Sequence, residues 1–416
     1  MELVPGISAH FVQSKKFKTN KITIRFTAPL SLETIAGRML SASMLETANQ
    51  VYPTSQAFRR YLASLYGTDI STSAYRRGQA HILDLTFTYV RDEFLSKKNV
   101  LTSRILELVK QTLFSPLVQD GAFEPVLFEI ERKQLLASLA TDMDDSFYFA
   151  HKELDSLFFH DERLQLRYSD LRNSILNESP ESSYTCFQDA LMNDRIDFFF
   201  LGDFNEVEIT ESLNSLPFTA RENGVTIQYH QSYSNVLREE MVQRNVGQSI
   251  LELGYHSPVK YGGDEHLSML VMNGLLGEFA HSKLFTNVRE NAGIAYTVSS
   301  QLDLFSGLLR MCAGIDRENR NQARKMMNHQ LLDLKKGNFT DFELEQTKEM
   351  IRRSLLMAQD NQQTLVERAY LNALLGKSSF DIDRLVAKLE SVDKEAVCKV
   401  ANSLKLQAIY FMEGVE

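Results

Sequence analysis

The chain has 416 residues, 44% of them hydrophobic and 24% charged, with a formal net charge of −9. That length suggests two to three domains, each with enough apolar side chains for its own core. The acidic balance argues against a nucleic-acid partner, since phosphate binding needs a basic face, and clusters such as FFFLG at 198–202 are far too short to span a membrane.

The opening MELVPGISAH has neither a basic n-region nor an apolar h-region, so no secretory signal is expected. Residues 23–29 alternate apolar and polar, a strand pattern. Ile35, Met39, Met44, Leu45 and Ala48 then recur near a helical period, and a second helix through 57–67 ends at Gly67 as a C-cap glycine would. Two strands, 70–75 and 80–90, flank the turn-like RRGQ. An amphipathic helix at 123–139 and a closing strand at 194–204 complete the first half.

The polar, glycine-containing stretch 219–235 reads as a linker. After it the plan repeats: a strand at 249–258, helices at 266–276 and 281–291 with a stop before Gly293, then strands at 294–302 and 307–315. The helix 342–358 matches 123–139, the closing strand 405–415 matches 194–204, and Gly67 and Gly293 occupy equivalent places. One unit of about 200 residues used twice predicts an α+β protein of two homologous domains, 1–218 and 236–416. Each would be a mixed, mainly antiparallel sheet with helices packed on one face.

Cys186, Cys312 and Cys398 are odd in number and far apart, so buried free thiols in a reducing compartment, the cytoplasm, are the expectation. The nine histidines are scattered and none forms an i, i+4 pair, so neither a metal site nor any other cofactor is expected. HKEL at 151–154 puts a carboxylate near a histidine, as helix surfaces often do. The Met and Phe residues read as core and interface packing.

The string NGLLGE at 273–278, SKLF at 282–285, VRE at 288–290 and GIAY at 293–296 resembles the C-terminal half of the pitrilysin-type, or inverzincin, zinc peptidases. That family includes the mitochondrial processing peptidases, and the resemblance spans nearly the whole chain. It implies that Arg289 and Tyr296 are the family's R/Y pair, which contacts substrate across a chamber from the zinc. Arginine supplies a rigid fork of donors to a carbonyl or carboxylate, and tyrosine can donate to a carbonyl oxygen that becomes anionic. Read without the resemblance, Arg289 would cap a helix end and Tyr296 would cover a strand edge.

The family's H-x-x-E-H motif occurs nowhere in the chain. Counting back from Ser55, its two histidines fall at Ser41 and Leu45 and its general base at Met44, while the third ligand aligns with Ser138. Glu46 is left as an isolated carboxylate with no expected partner. The resemblance therefore implies a non-catalytic subunit of a heterodimeric peptidase, whose partner is an H-x-x-E-H homologue and whose Arg289 and Tyr296 orient peptide. It looks closest to bacterial members associated with peptide maturation and elongation factor P modification. In the family, substrate adds as a strand to a sheet edge, and 70–75 could offer one. A purely structural assembly subunit of the same fold is the alternative. In isolation the chain could homodimerise.

Overall fold

The computed structural model describes residues 1–96, 100–222, 224–376 and 382–415. In chain order the first strands are β1 (Glu2–Val4), β2 (Ile7–Gln13) and β3 (Thr19–Pro29). Helices α1 (Ile35–Thr47) and α2 (Ser55–Ser64) follow, then β4 (Asp69–Arg77) and β5 (Ala80–Val90). Helix α3 (Leu101–Phe114) precedes a short ribbon of β6 (Val118–Gln119) and β7 (Ala122–Phe123). Next come α4 (Pro125–Asp144), α5 (Ser146–Phe158), α6 (Tyr168–Asn177), α7 (Pro180–Asn193), β8 (Arg195–Gly202) and α8 (Glu206–Asn214). The second half runs β9 (Arg238–Arg244), β10 (Ser249–His256), α9 (His266–Asn273), β11 (Ala295–Asp303) and β12 (Leu308–Ile315). It closes with α10 (Arg320–Lys336), α11 (Asp341–Met357), α12 (Gln362–Leu375), α13 (Ile382–Glu390), α14 (Lys394–Ser403) and β13 (Lys405–Gly414).

The repeat expected from the sequence is present strand by strand. The first sheet has the order β1-β2-β8-β3-β5-β4 and the second β11-β12-β10-β13-β9. Read from opposite ends, β4, β5, β3, β8 and β2 correspond to β11, β12, β10, β13 and β9. In each sheet one pairing, β2 with β8 and β9 with β13, is parallel and the rest are antiparallel.

The compact units are discontinuous in sequence. The first comprises Met1–Leu139, Ser169–Thr226 and Asn361–Gly376, and the second Ala140–Tyr168, Ile227–Asp360 and Lys377–Glu416. The main change of unit, at Thr226 and Ile227, falls inside the predicted linker 219–235. The segment carrying α5, however, leaves the first half for the second unit, and the segment carrying α12 does the reverse.

This exchange explains the pattern of burial. A strand turns successive side chains to opposite faces. On β3, Ile22, Ile24 and Phe26 join Leu83, Leu85 and Phe87 of β5 in a core shared with α2 and α3. On β10, Leu251, Leu253 and Tyr255 join a core with α9, α10 and α14. Those cores are the expected one-sided helical layers. The opposite face is covered too, in each unit by its exchanged helix.

Beneath those helices the sheet face is polar and largely buried. In the first unit Arg25 is fully buried and bidentate to Asp84, with Nε–Oδ1 and Nη2–Oδ2 both 2.7 Å. Its Nη1 donates to Glu367 of α12 at 2.9 Å, and its guanidinium lies 4.3 Å from the Tyr370 ring centroid. In the second unit Glu252, fully buried on β10, meets His151 of α5 at 2.6 Å. Arg310 on β12 lies 3.2 Å from Glu252 and donates to Asp155 of α5 at 2.5 Å. Buried charges persist only when paired, so these networks fix where each exchanged helix docks. The HKEL carboxylate–histidine spacing is thus not a surface feature at His151, which turns inward to Glu252.

Candidate functional site

Helix α1 carries three of the four positions that the resemblance aligns with the family's zinc machinery, and its inner face is packed. Ser41, Met44 and Leu45 are buried, at 1%, 2% and 1% exposure. The Ser41 hydroxyl lies 2.7 Å from both the Gly37 and the Ser183 carbonyls, tying α1 to α7. The two helices run so close that a Cβ on Gly37 would sit 2.7 Å from the Cys186 sulfur. Nearby space is a void of about 10 Å³ lined by Arg38, Ser41 and Cys186, room for one water at most. Arg38 is itself buried, donating through Nε to His81 at 2.9 Å and through Nη1 to Asp194 at 2.6 Å. Burial, then the neighbouring Arg38 charge, hold the His81 imidazole down to about 3.

Ser138 lies on α4 and is exposed. A hydroxyl, a thioether, an isobutyl group and a second hydroxyl do not make a zinc donor set. The residues therefore do not fit the family's metal. Among the described residues one group of three His, Cys, Asp or Glu donors lies within 4.8 Å of one another: His151, Glu252 and Cys312 in the second unit. There the guanidinium of Arg310 already occupies the cationic position beside Glu252. Burial and the adjacent Glu252 carboxylate push the Cys312 thiol well up, leaving a protonated, inert sulfur.

The mouth of α1 differs from the reading of its sequence in one respect. Glu46 does have a partner: its carboxylate accepts from the backbone N–H and the hydroxyl of Thr72, both at 2.7 Å. The strand carrying Thr72, β4, is an outer strand of the first sheet, and among the described residues it pairs with β5 alone. The local sequence hid this contact because it joins residues 26 apart.

Arg289 and Tyr296 lie in the second unit on either side of a glycine turn. Residues Phe285–Asn291 form a widened, π-type helical segment. It stops at Gly293, whose φ of +62° is the left-handed conformation that favours glycine. The Gly293 N–H bonds the Arg289 carbonyl at 3.1 Å and the Ile294 N–H bonds the Val288 carbonyl at 3.2 Å, closing the helix end. The chain then enters β11, an outer strand of its sheet. Register shifts between Ala295, opposite Ile315, and Thr297, opposite Gly314, so Tyr296 sits at a bulge, a device that re-aims a side chain.

Both side chains face solvent. Tyr296 is 63% exposed, with its hydroxyl 3.3 and 3.4 Å from the Asp316 carboxylate oxygens. The Arg289 side chain is 44% exposed, 3.5 Å from Glu290, and its guanidinium lies 4.6 Å from the Phe285 ring centroid. Exposed pairs of this kind hold little energy, so the donors remain available to an incoming carbonyl or carboxylate. Among the described residues no hydrogen bond joins Arg289 to Tyr296. They share one turn without engaging each other.

Residues 177–351 match the family described as "Peptidase M16 inactive domain". The Bacillus subtilis protein named "Probable inactive metalloprotease YmfF" is 27% identical over 412 residues, 99% of this chain and 96% of its own length. The crystal structure of a conserved protein from Enterococcus faecalis V583 is 33% identical, with a TM-score of 0.95 over 100% of this chain and 98% of that one. A peptidase M16 inactive domain from Pseudomonas fluorescens, 14% identical, shares the fold with a TM-score of 0.77, covering 98% of this chain and 96% of that chain.

Proposed function

Because the chain belongs to the pitrilysin-type M16 peptidase family, as a non-catalytic member without its metal ligands, we propose that it is the substrate-positioning subunit of a heterodimeric zinc peptidase. An H-x-x-E-H-bearing homologue supplies the metal and the water. This chain supplies Arg289 and Tyr296, which grip the carbonyls or terminal carboxylate of a peptide held in the partner's active site. The observation that carries the reading is a contrast within one molecule. Of the positions that the resemblance aligns with the zinc machinery, Ser41, Met44 and Leu45 of α1 are buried in packing, whereas Arg289 and Tyr296 stand in solvent with weak neighbours. A glycine stop and a bulge set this arginine and tyrosine on the surface, where fold stability does not need them.

The reading places the pair in the cytoplasm, in keeping with three free cysteines, and allows the isolated chain to homodimerise through the face it offers its homologue. No helix among the described residues is long and apolar enough to cross a membrane. The link to elongation factor P modification rests on the resemblance in sequence alone. The test is affinity purification from the native host followed by reconstitution. An H-x-x-E-H homologue should co-purify, and Arg289→Ala should lower peptide cleavage by the pair at unchanged dimer content. One observation favours a second reading, a scaffold subunit: Tyr296 and Arg289 do have local neighbours in Asp316 and Phe285. Unchanged cleavage with an intact dimer would establish the scaffold and remove the shared-chamber reading.

A further inference from the structure

Among the described residues no strand pairs with the outward edge of β4. In an antiparallel pair, backbone groups point alternately toward the partner strand and away from it. The Thr72 N–H bonds Glu46 rather than β5. It therefore belongs to the outward set, together with Ile70 and Ala74. Such an edge is where an extended polypeptide adds as a new strand. Here one of its donors is already taken by a carboxylate from α1, which binds the Thr72 hydroxyl as well.

The carboxylate is held in place. Glu46 is half-buried in the last turn of α1. The next residue, Thr47, lies 2.9 Å from the Ser43 carbonyl and 3.0 Å from the buried Glu131 carboxylate of α4. That turn cannot swing away as a unit, so releasing Thr72 requires the Glu46 side chain alone to move.

We propose that Glu46 is a built-in competitor for strand addition, so that an extended peptide pairs with β4 only by taking the Thr72 N–H from it. The displaced carboxylate stays beside the guest. A segment carrying lysine or arginine at that point recovers an ion pair, and an acidic segment meets repulsion. Glu46 thereby sets both the strength and the charge preference of the edge: weak for neutral chains, better for basic ones, poorest for acidic ones. This inference rests on the reading that the chain handles peptides, but it concerns the first unit and needs no partner subunit.

The experiment uses the full chain alone. Binding of three synthetic extended peptides, identical except for a central Ala, Lys or Glu, is measured by fluorescence anisotropy for wild type, Glu46→Ala and Thr72→Val. Hydrogen exchange at the Thr72 amide is followed in parallel. A charge-assisted hydrogen bond lost from the competitor corresponds to roughly a 10- to 100-fold gain in affinity. Glu46→Ala should therefore bind the Ala peptide at least ~10-fold more tightly, exchange the Thr72 amide faster, and lose the Lys-over-Glu preference. Thr72→Val keeps the amide and loses the hydroxyl, so it should fall between. Faster exchange without tighter binding overturns the proposal, as does unchanged exchange. Either failure leaves the cleavage assay with Arg289→Ala free to decide the role of the second unit.

Discussion

At the centre of each sheet, equivalent strands bury opposite charges. Arg25 on β3 stands between Asp84 and Asp197 on its neighbours, and Glu252 on β10 stands between Cys312 and Tyr410 on its own. Each charge then reaches a helix that arrives from the other half of the sequence. Polarity has reversed between the copies while the architecture has not. What the fold requires at this position is thus a closed ion-pair network that docks the helix, and a given sign is not required.

The networks differ in what loss of the central charge leaves behind, and the largest effect should come from that. Arg25 is the cation of buried Asp84 and shares Glu367 with Arg77. Arg25→Ala leaves the Asp84 carboxylate buried without its ion pair, while Arg77 still holds Glu367, and should cost ~3–5 kcal/mol. In the second unit Arg310 still holds Asp155 when Glu252 is gone. Glu252→Ala should cost less, ~1–3 kcal/mol. Chemical denaturation of the two variants measures the gap, and equal losses would remove the distinction.

A second comparison sets α1 against the Arg289 turn. Leu45 stands where the resemblance puts a zinc ligand, but it is 1% exposed in a core. Leu45→Ala should cost ~2–5 kcal/mol, while Ser138→Ala, on the exposed side of α4, should change stability by less than ~0.5 kcal/mol. If Leu45→Ala proves neutral, the degenerate site is not packed as described.

Each unit also buries a neutral histidine, and the two should separate in acid. Burial and then Arg38 depress His81 to about 3, and burial depresses His266 to about 4. The unfolded imidazole titrates near ~6.5. Folded-state pKa values below that mean the unfolded chain takes up protons first. The stability each provides is complete above ~6.5 and falls with pH at up to ~1.4 kcal/mol per unit. For His266 the loss ends near 4, and for His81 it continues toward 3. Denaturation curves of His266→Gln at pH 7, 5 and 4 should be flatter with pH than those of wild type. An unchanged slope would contradict a buried neutral imidazole.

The elements that could be read from sequence are those set by local periodicity and glycine. The alternation at 23–29, the stops at Gly67 and Gly293, and the pairing of 70–75 with 80–90 all follow short-range rules: β3, β4 and β5 contain the strands, and both glycines take a positive φ. The exchange of α5 and α12 was not legible, because a helix's apolar stripe says that it packs and not on which sheet. Arg25 in an alternating strand looks like a solvent-facing residue. It is buried only because a helix some 340 residues away in sequence covers it. Glu46 looked unpartnered for the same reason, since a free backbone N–H on an outer strand leaves no mark in composition. A family string singles out Arg289 and Tyr296, while their exposure and the bulge at Tyr296 leave no mark in the sequence.

The smallest effect on stability should fall where the effect on function is largest. Tyr296→Phe removes a hydroxyl that is 63% exposed on its parent residue and shares only long contacts with Asp316. Arg289→Ala removes an exposed guanidinium with one weak ion pair. Both should leave thermal stability within ~0.5 kcal/mol of wild type, well below the cost of disturbing Arg25 or Leu45. On the proposed reading, each removes from the reconstituted pair a donor to a developing anion or a carbonyl, a loss of order 10²-fold in cleavage where that donor acts in a dry chamber. A guanidinium that only helps to hold the peptide would raise KM and spare kcat. The split between KM and kcat for the two variants therefore tells a grip from a transition-state contact. A pair of variants that alter stability and leave both constants untouched would return Arg289 and Tyr296 to the structural role that α1 already plays.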